Sequence, residues 1–218
     1  MTRTVRFAIF GDSICVGQHV SPHRTWAVRL AARIEAALAP HPVVVLNPSI
    51  NGDITRRALE RMPFDIQASG VDAILIQFGL NDSNRWESDR GLPRVSEAAF
   101  AANLGEIVAR ARAFGARRVL LNTNHPTTRD AAPLPHSDVT QEACNRRYNE
   151  IVRAVAGEDR EIVLTDMEAA FRRHIADRGV ALASLLLPDG LHLSEAGHDV
   201  YLAALEGPAT AAAKALRG

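Results

Sequence analysis

Cysteine is scarce in this chain. Two occur among 218 residues, Cys15 and Cys144. That is too few for a disulfide framework, and no Cys-x-x-Cys pair suggests zinc or redox work. Long apolar runs are missing too: none approaches the roughly 20 residues needed to span a bilayer. The start, MTRTVRFAIFGDS, holds only a short apolar stretch with no cleavage signal. A cytoplasmic chain with no stable membrane insertion is therefore expected. Excess charge of one sign is also lacking, because 25 Lys and Arg balance 25 Asp and Glu. No strong field draws the chain to nucleic acid or to an anionic surface. Residues 11–17 lack both the Lys-Ser/Thr ending of a phosphate loop and the spacing of a dinucleotide loop. His19, His23 and His41 have no carboxylate or cysteine at ligand spacing, and His136 nears Asp138 only within a loop. No metal and no cofactor is expected.

What is present is an ordinary globular composition, 47% hydrophobic and 23% charged. A chain of this length buries roughly 70% of its unfolded surface without staples. Residues 1–218, free of repeats and low-complexity linkers, read as one domain. Short aliphatic runs bounded by Gly, Pro, Asn or Asp occupy 5–10, 43–47, 73–78, 118–122 and 162–165. They read as buried strands of a parallel sheet. Between and after them, residues 25–38, 55–61, 97–114, 141–156 and 195–205 carry apolar positions at three-to-four spacing, the mark of amphipathic helices. The Ala-rich tail beyond Pro208 reads as a further, terminal helix. The alternation predicts an α/β fold, a parallel sheet of about five strands covered on both faces through right-handed crossovers. Two polar stretches, 79–96 and 124–139, follow strands directly. In open α/β sheets ligands bind at that end of the sheet.

Four short motifs sit at strand ends. Phe10-Gly11-Asp12-Ser13 closes the first strand, where a serine can act as nucleophile or simply cap a helix. Pro188-Asp189-Gly190-Leu191-His192 places a histidine three residues after an aspartate. That pair can form an oriented base, or be a turn with a surface histidine. Asn51-Gly52-Asp53 follows the second strand and Gly79-Leu80-Asn81-Asp82 the third. Together the segments FGDSICVG, INGDIT, FGLNDS and PDGLHLSEAGH resemble, in order, the blocks of the GDSL/SGNH hydrolase family, over residues 7 to 202. The resemblance implies a flavodoxin-like three-layer αβα sandwich and a serine esterase. Ser13 would be the nucleophile, His192 the base and Asp189 its orienting carboxylate. The N–H groups of Ser13 and Gly52 with the Asn81 amide would form the oxyanion hole. The chain departs from the family at Cys15, where a threonine or similar small residue is common, and at Ser49, where a glycine is frequent.

The remaining polar residues divide between supporting the loops and facing the substrate. Asp12 and Asp82 are expected to stiffen the loops of Ser13 and Asn81, at the substrate's edge. Asn84, Arg85 and Trp86 can line an acyl or sugar pocket, or be a loop held by Trp packing. Asn122, Asn124 and His125 follow the fourth strand within reach of the site. His125 is a substrate or structural residue rather than the base, and His198 belongs to core or interface. The reading is a carboxylic ester hydrolase taking a short acyl group from a carbohydrate or similar polar alcohol, a small-molecule or glycan ester. Acyl transfer, thioesterase or lysophospholipase activity, and a non-catalytic carbohydrate- or lipid-binding domain, are the alternatives. Oligomeric state is not legible.

Overall fold

The computed structural model describes residues 3–217. Five strands, β1 (Val5–Gly11), β2 (Val43–Leu46), β3 (Ala73–Gln77), β4 (Arg118–Asn122) and β5 (Ile162–Thr165), form one parallel sheet. Their spatial order is β2-β1-β3-β4-β5, the flavodoxin-like order. Phe7 lies opposite Val45 on one side and Ala73 on the other.

Alternation along each strand builds two cores. Phe7, Ile9, Leu75 and Leu120 face α2 (Trp26–Leu38), α6 (Met167–Arg178) and α7 (Glu195–Lys214). Ala8, Phe10, Ile74, Ile76, Val119 and Leu121 face α3 (Thr55–Met62), α4 (Glu97–Ala113) and α5 (Gln141–Gly157). Right-handed crossovers account for this division. The step from β1 to β2 runs one way across the sheet and lays α2 on one face. The steps to β3, β4 and β5 run the other way and lay α3, α4 and α5 on the opposite face. The chain therefore diverges between β1 and β3, and a crevice opens outside their carboxyl ends.

The structure corrects several expectations. β2 and β5 are edge strands rather than buried ones, and Val44 and Leu164 are exposed. An aliphatic run looks the same in an edge as in a central strand. α6 was not legible as a helix, although Asp166 caps its start by accepting from the Ala169 N–H. The last helix does not stop at Leu205: α7 continues through Pro208 to Lys214. A proline at that depth removes one backbone bond, but Ala209, Ala212 and Ala213 keep the same face packed on the core. Helix and strand ends otherwise move by a residue, as where Thr25 caps α2 instead of starting it.

Trp26 ties the start of α2 to the segment that follows β1. It is fully buried, its indole N–H donates to the Ile14 carbonyl at 2.9 Å, and its ring stacks on Tyr201 of α7 at 5.4 Å. Trp26→Ala is expected to cost about 3–5 kcal/mol in denaturant unfolding. Trp26→Phe should cost less, about 1–3 kcal/mol, mostly from the orphaned carbonyl. A loss under ~1 kcal/mol for both would contradict this role.

Candidate active site

The backbone turns sharply where β1 ends. A side chain at Gly11 would meet Cys15 Sγ at 2.5 Å and the Gln77 carbonyl oxygen at 2.6 Å, so only glycine fits there. Asp12 then caps the short helix α1 (Ser13–Val16), its Oδ1 accepting from the Ile14 N–H at 2.9 Å. Ser13 is the first helical residue, and its N–H has no acceptor among the described residues. Cys15 packs beneath the turn, fully buried, and burial pushes its thiol well up. It belongs to the core rather than to the reacting surface.

His192 comes to Ser13 from the far end of the chain. Its Nε2 lies 3.0 Å from Ser13 Oγ, and its Nδ1 lies 2.5 Å from Asp189 Oδ2. Asp189 Oδ1 also accepts from the N–H groups of Leu191 and His192, at 2.9 and 3.0 Å. Partial burial works to raise this carboxyl, but those hydrogen bonds outweigh it and hold the group at about 2. An ionised Asp189 requires the proton on Nδ1, which leaves Nε2 as acceptor for the serine hydroxyl. The loop carrying the pair is closed by Leu187 N–H to His192 O at 2.7 Å and by an antiparallel bridge between Leu186 and Leu193. Gly190 turns it at φ +70°, with no room for a side chain beside Thr128. From across the cleft the Arg129 guanidinium donates to the Asp189 carbonyl, and the Thr128 N–H to that of Gly190.

Gly52 occupies the tight turn after β2 at φ +71°, facing open space, and its N–H also lacks an acceptor among the described residues. Arg94 donates to the Gly52 carbonyl at 3.2 Å. Arg61 binds this loop to the nucleophile turn. It pairs with Asp53, donates to Pro48 O and Gly11 O, and lies 4.3 Å over the Phe10 ring. Asn47 adds a bond from its amide to the Cys15 carbonyl. Ser49, the departure from the expected glycine, needs no left-handed backbone and donates to the Ile9 carbonyl.

Asn81 donates from Nδ2 to Asp12 Oδ2 at 3.2 Å, keeping a second amide hydrogen for another acceptor. Asp82 instead caps α3, accepting from the Thr55 N–H and hydroxyl at 2.8 and 2.6 Å. Both carboxyls are enclosed. Burial raises Asp12 to about 7, reinforced by the charges of Asp82 and Asp53 and partly offset by the Ile14 N–H and the Asn81 amide. Burial likewise raises Asp82 to about 6, against the bonds from Thr55.

The residues expected at the substrate's edge divide in two. Asp12, Asp82, Asn124 and His125 have no exposed surface. Asn124 joins the Phe78 carbonyl to Asn149 of α5. His125 is pushed down to about 4 by burial and donates from its Nε2 to the Leu191 carbonyl at 2.8 Å, bracing the loop of His192. Asn84 is half-buried, its side chain folded onto the Arg85 N–H, and Arg85 donates to the Gly91 carbonyl. Trp86 is half exposed and lines a cavity of about 500 Å³ with Ile54, Leu92 and three arginines. Asn122 is fully buried. His198 lies in the core, accepting from the Trp26 N–H at Nδ1. Among the described residues no cluster of three His, Cys, Asp or Glu side chains is placed to hold a metal ion. No helix among them is long and apolar enough to cross a membrane.

Residues 9–200 match a profile described as the GDSL-like Lipase/Acylhydrolase family. An arylesterase of Vibrio mimicus is 28% identical over 123 residues, 56% of each chain. Esterase TesA of Pseudomonas aeruginosa is 29% identical over 118 residues, 54% of each. The chain thus spans little more than half the length of these two relatives. A lipase/acylhydrolase of Enterococcus faecalis superposes with a TM-score of 0.73 at 23% identity, covering 95% of this chain and 96% of that one. An acetylxylan esterase of Geobacillus stearothermophilus does so with a TM-score of 0.73 at 21% identity over 94% of both. The last two show a shared fold.

The raised carboxyls make stability depend on pH. A group that titrates higher in the folded than in the unfolded chain stabilises fully below its unfolded value, about 3.9 for aspartate. That contribution is lost as pH rises through about 6 for Asp82 and about 7 for Asp12. Asp12→Asn keeps an acceptor for the Ile14 N–H. Its denaturant midpoint, relative to wild type, is expected to rise between about pH 4 and pH 7.5. A difference that stays flat across that range would contradict the buried, proton-retaining carboxyl.

Proposed function

The chain belongs to the GDSL-like lipase/acylhydrolase family, and on that premise we propose that it hydrolyses carboxylic esters through an acyl-enzyme on Ser13. The reading is carried by one observation: a continuous line from Ser13 Oγ through the His192 ring to Asp189, at 3.0 and 2.5 Å, joins residues 179 positions apart. His192 Nε2 takes the hydroxyl proton as Oγ attacks the acyl carbonyl. The resulting oxyanion is met by the N–H groups of Ser13 and Gly52 and by the free hydrogen of the Asn81 amide. Such donors are effective because they are fixed before charge develops.

Collapse expels the alcohol, which receives the proton from His192. Water then attacks the acyl carbonyl while losing a proton to the same nitrogen, and that proton passes to Ser13 Oγ as its bond to the acyl group breaks and the acid leaves. Asp189, ionised throughout the working range, stabilises the imidazolium formed in each half-reaction. Asp12, Asp82, Asn124 and His125 act as positioning residues for Ser13, Asn81 and the His192 loop, while Trp86 offers a platform to the substrate. A short acyl group on a sugar or similar polar alcohol fits the polar loops of moderate length that follow β3 and β4, and the fold is shared with an acetylxylan esterase.

Ser13→Ala is expected to lower kcat for p-nitrophenyl acetate by about 10⁴-fold or more while leaving thermal unfolding nearly unchanged. Equal turnover by wild type and variant would remove Ser13 from the mechanism. Asn81→Ala should cost about 10²–10³ in kcat, the loss of one oxyanion donor; an effect on KM alone would exclude that role. A fluorophosphonate probe should label Ser13, read by peptide mass spectrometry, and labelling confined to Cys15 would point to another nucleophile.

A further inference from the structure

The cavity of about 500 Å³ beside the Gly52 turn has an unusual lining for a protein with no net charge. Arg56 and Arg57 open α3, where the helix N-terminus disfavours cations. Arg94 reaches in from the opposite wall and stacks 4.1 Å over the Trp86 ring. Burial presses the Arg94 guanidinium below its usual range, opposed by the charges of Asp82, Asp89 and Asp53 and reinforced by that of Arg57. Among the described residues neither Arg56 nor Arg94 has a carboxylate within salt-bridge distance, and Arg57 stands 3.6 Å from the buried Asp53. The one carboxylate in the lining, Asp89, accepts from the Trp86 N–H.

Three guanidinium groups thus line one cavity, Arg56 and Arg57 exposed and Arg94 partly buried, with Asp89 as the carboxylate among the lining residues. Planar guanidinium forks suit a carboxylate. The same walls present apolar surface, with Trp86 half exposed and Leu92 70% exposed. An indole platform beside charge-assisted donors fits a pyranose ring bearing an acid. The size lies within the range of small-ligand pockets, about 300–1,000 Å³. The cavity adjoins the proposed reaction centre, because Arg94 holds the carbonyl of Gly52. A second, wider cleft shares Ser88 with it, so the trough continues along the surface.

We propose that the cleft between α3 and residues 86–94 is a subsite for the carboxylate of an acidic saccharide. Resting on the esterase reading, the preferred substrate is an O-acylated, uronate-containing glycan rather than a neutral one. No new bond chemistry is involved; the subsite selects which ester reaches Ser13.

Binding can be read without turnover. Calorimetry with Ser13→Ala protein compares unesterified trigalacturonate with a neutral trisaccharide of similar size. The acidic ligand should bind about tenfold more tightly, a preference that added salt erodes. Arg56→Gln alone should reduce that preference, and Arg56→Gln with Arg57→Gln should abolish it. Equal affinity for both sugars, or a preference indifferent to the arginine substitutions, would overturn the subsite. So would competition by inorganic phosphate as strong as by the uronate, since a bare anion would then be the ligand. Wild-type protein should also release acetate faster from an acetylated methyl galacturonide than from the acetylated neutral galactoside. Acidic preference in binding with no turnover of any ester would defeat the esterase reading and leave the subsite standing.

Discussion

Everything at the carboxyl edge of the sheet depends on the hydrogen bond between His192 Nε2 and Ser13 Oγ. It joins side chains 179 positions apart, so it forms only where the fold brings the end of β1 and the loop of His192 together. β1 carries the serine to the carboxyl edge, α1 begins on it, and the bridge of Leu186 to Leu193 closes the loop that holds the imidazole. Trp26 joins these bodies, touching α1 through the Ile14 carbonyl and α7 through Tyr201 and His198. Small rotations of α7 against α2 would therefore be felt at the serine hydroxyl, and the shared core of the two helices resists them.

The scaffold beneath the site runs against ordinary burial rules. Asp12, Asp53 and Asp82 are all fully enclosed, and the first and last titrate well above a free aspartate. Such groups are costly to bury unless bonded. Here they are bonded to elements that must not move: α1 through Ile14, α3 through Thr55, and the Asn81 amide. Arg61 compensates Asp53 while gripping the carbonyls of Pro48 and Gly11. Polar burial therefore fixes the loops after β1, β2 and β3 relative to one another. A purely apolar packing would stabilise the layers without setting the angles of backbone N–H groups.

Legibility in the sequence followed the range of the interactions. β4 and β5 were readable to the residue because aliphatic runs end at polar ones, yet nothing in Val43–Leu46 or Ile162–Thr165 revealed an edge. α6 was missed because only Met167, Glu168 and Phe171 are buried along it, too thin a stripe to show as periodicity. Ser13, Asp189, His192, Gly52 and Asn81 were visible as residue types inside ordered motifs. Arg61, Arg94, Thr128 and Arg129 were not, since these partners lie 8 to 62 positions away and nothing local marks them. Asp12, Asp82, Asn124 and His125 were visible as polar residues near strand ends. Only the packing shows that their side chains face inward.

The central claim, that acyl groups pass through Ser13 Oγ under the control of His192, is tested most directly by trapping the intermediate. Protein mixed with a slowly deacylated p-nitrophenyl ester and quenched in acid within the first turnover should gain the mass of one acyl group. Peptide mapping should place that mass on Ser13, and it should be absent from the His192→Ala protein. Steady turnover with no acylated protein, or an acyl group mapped to any other residue, would contradict it.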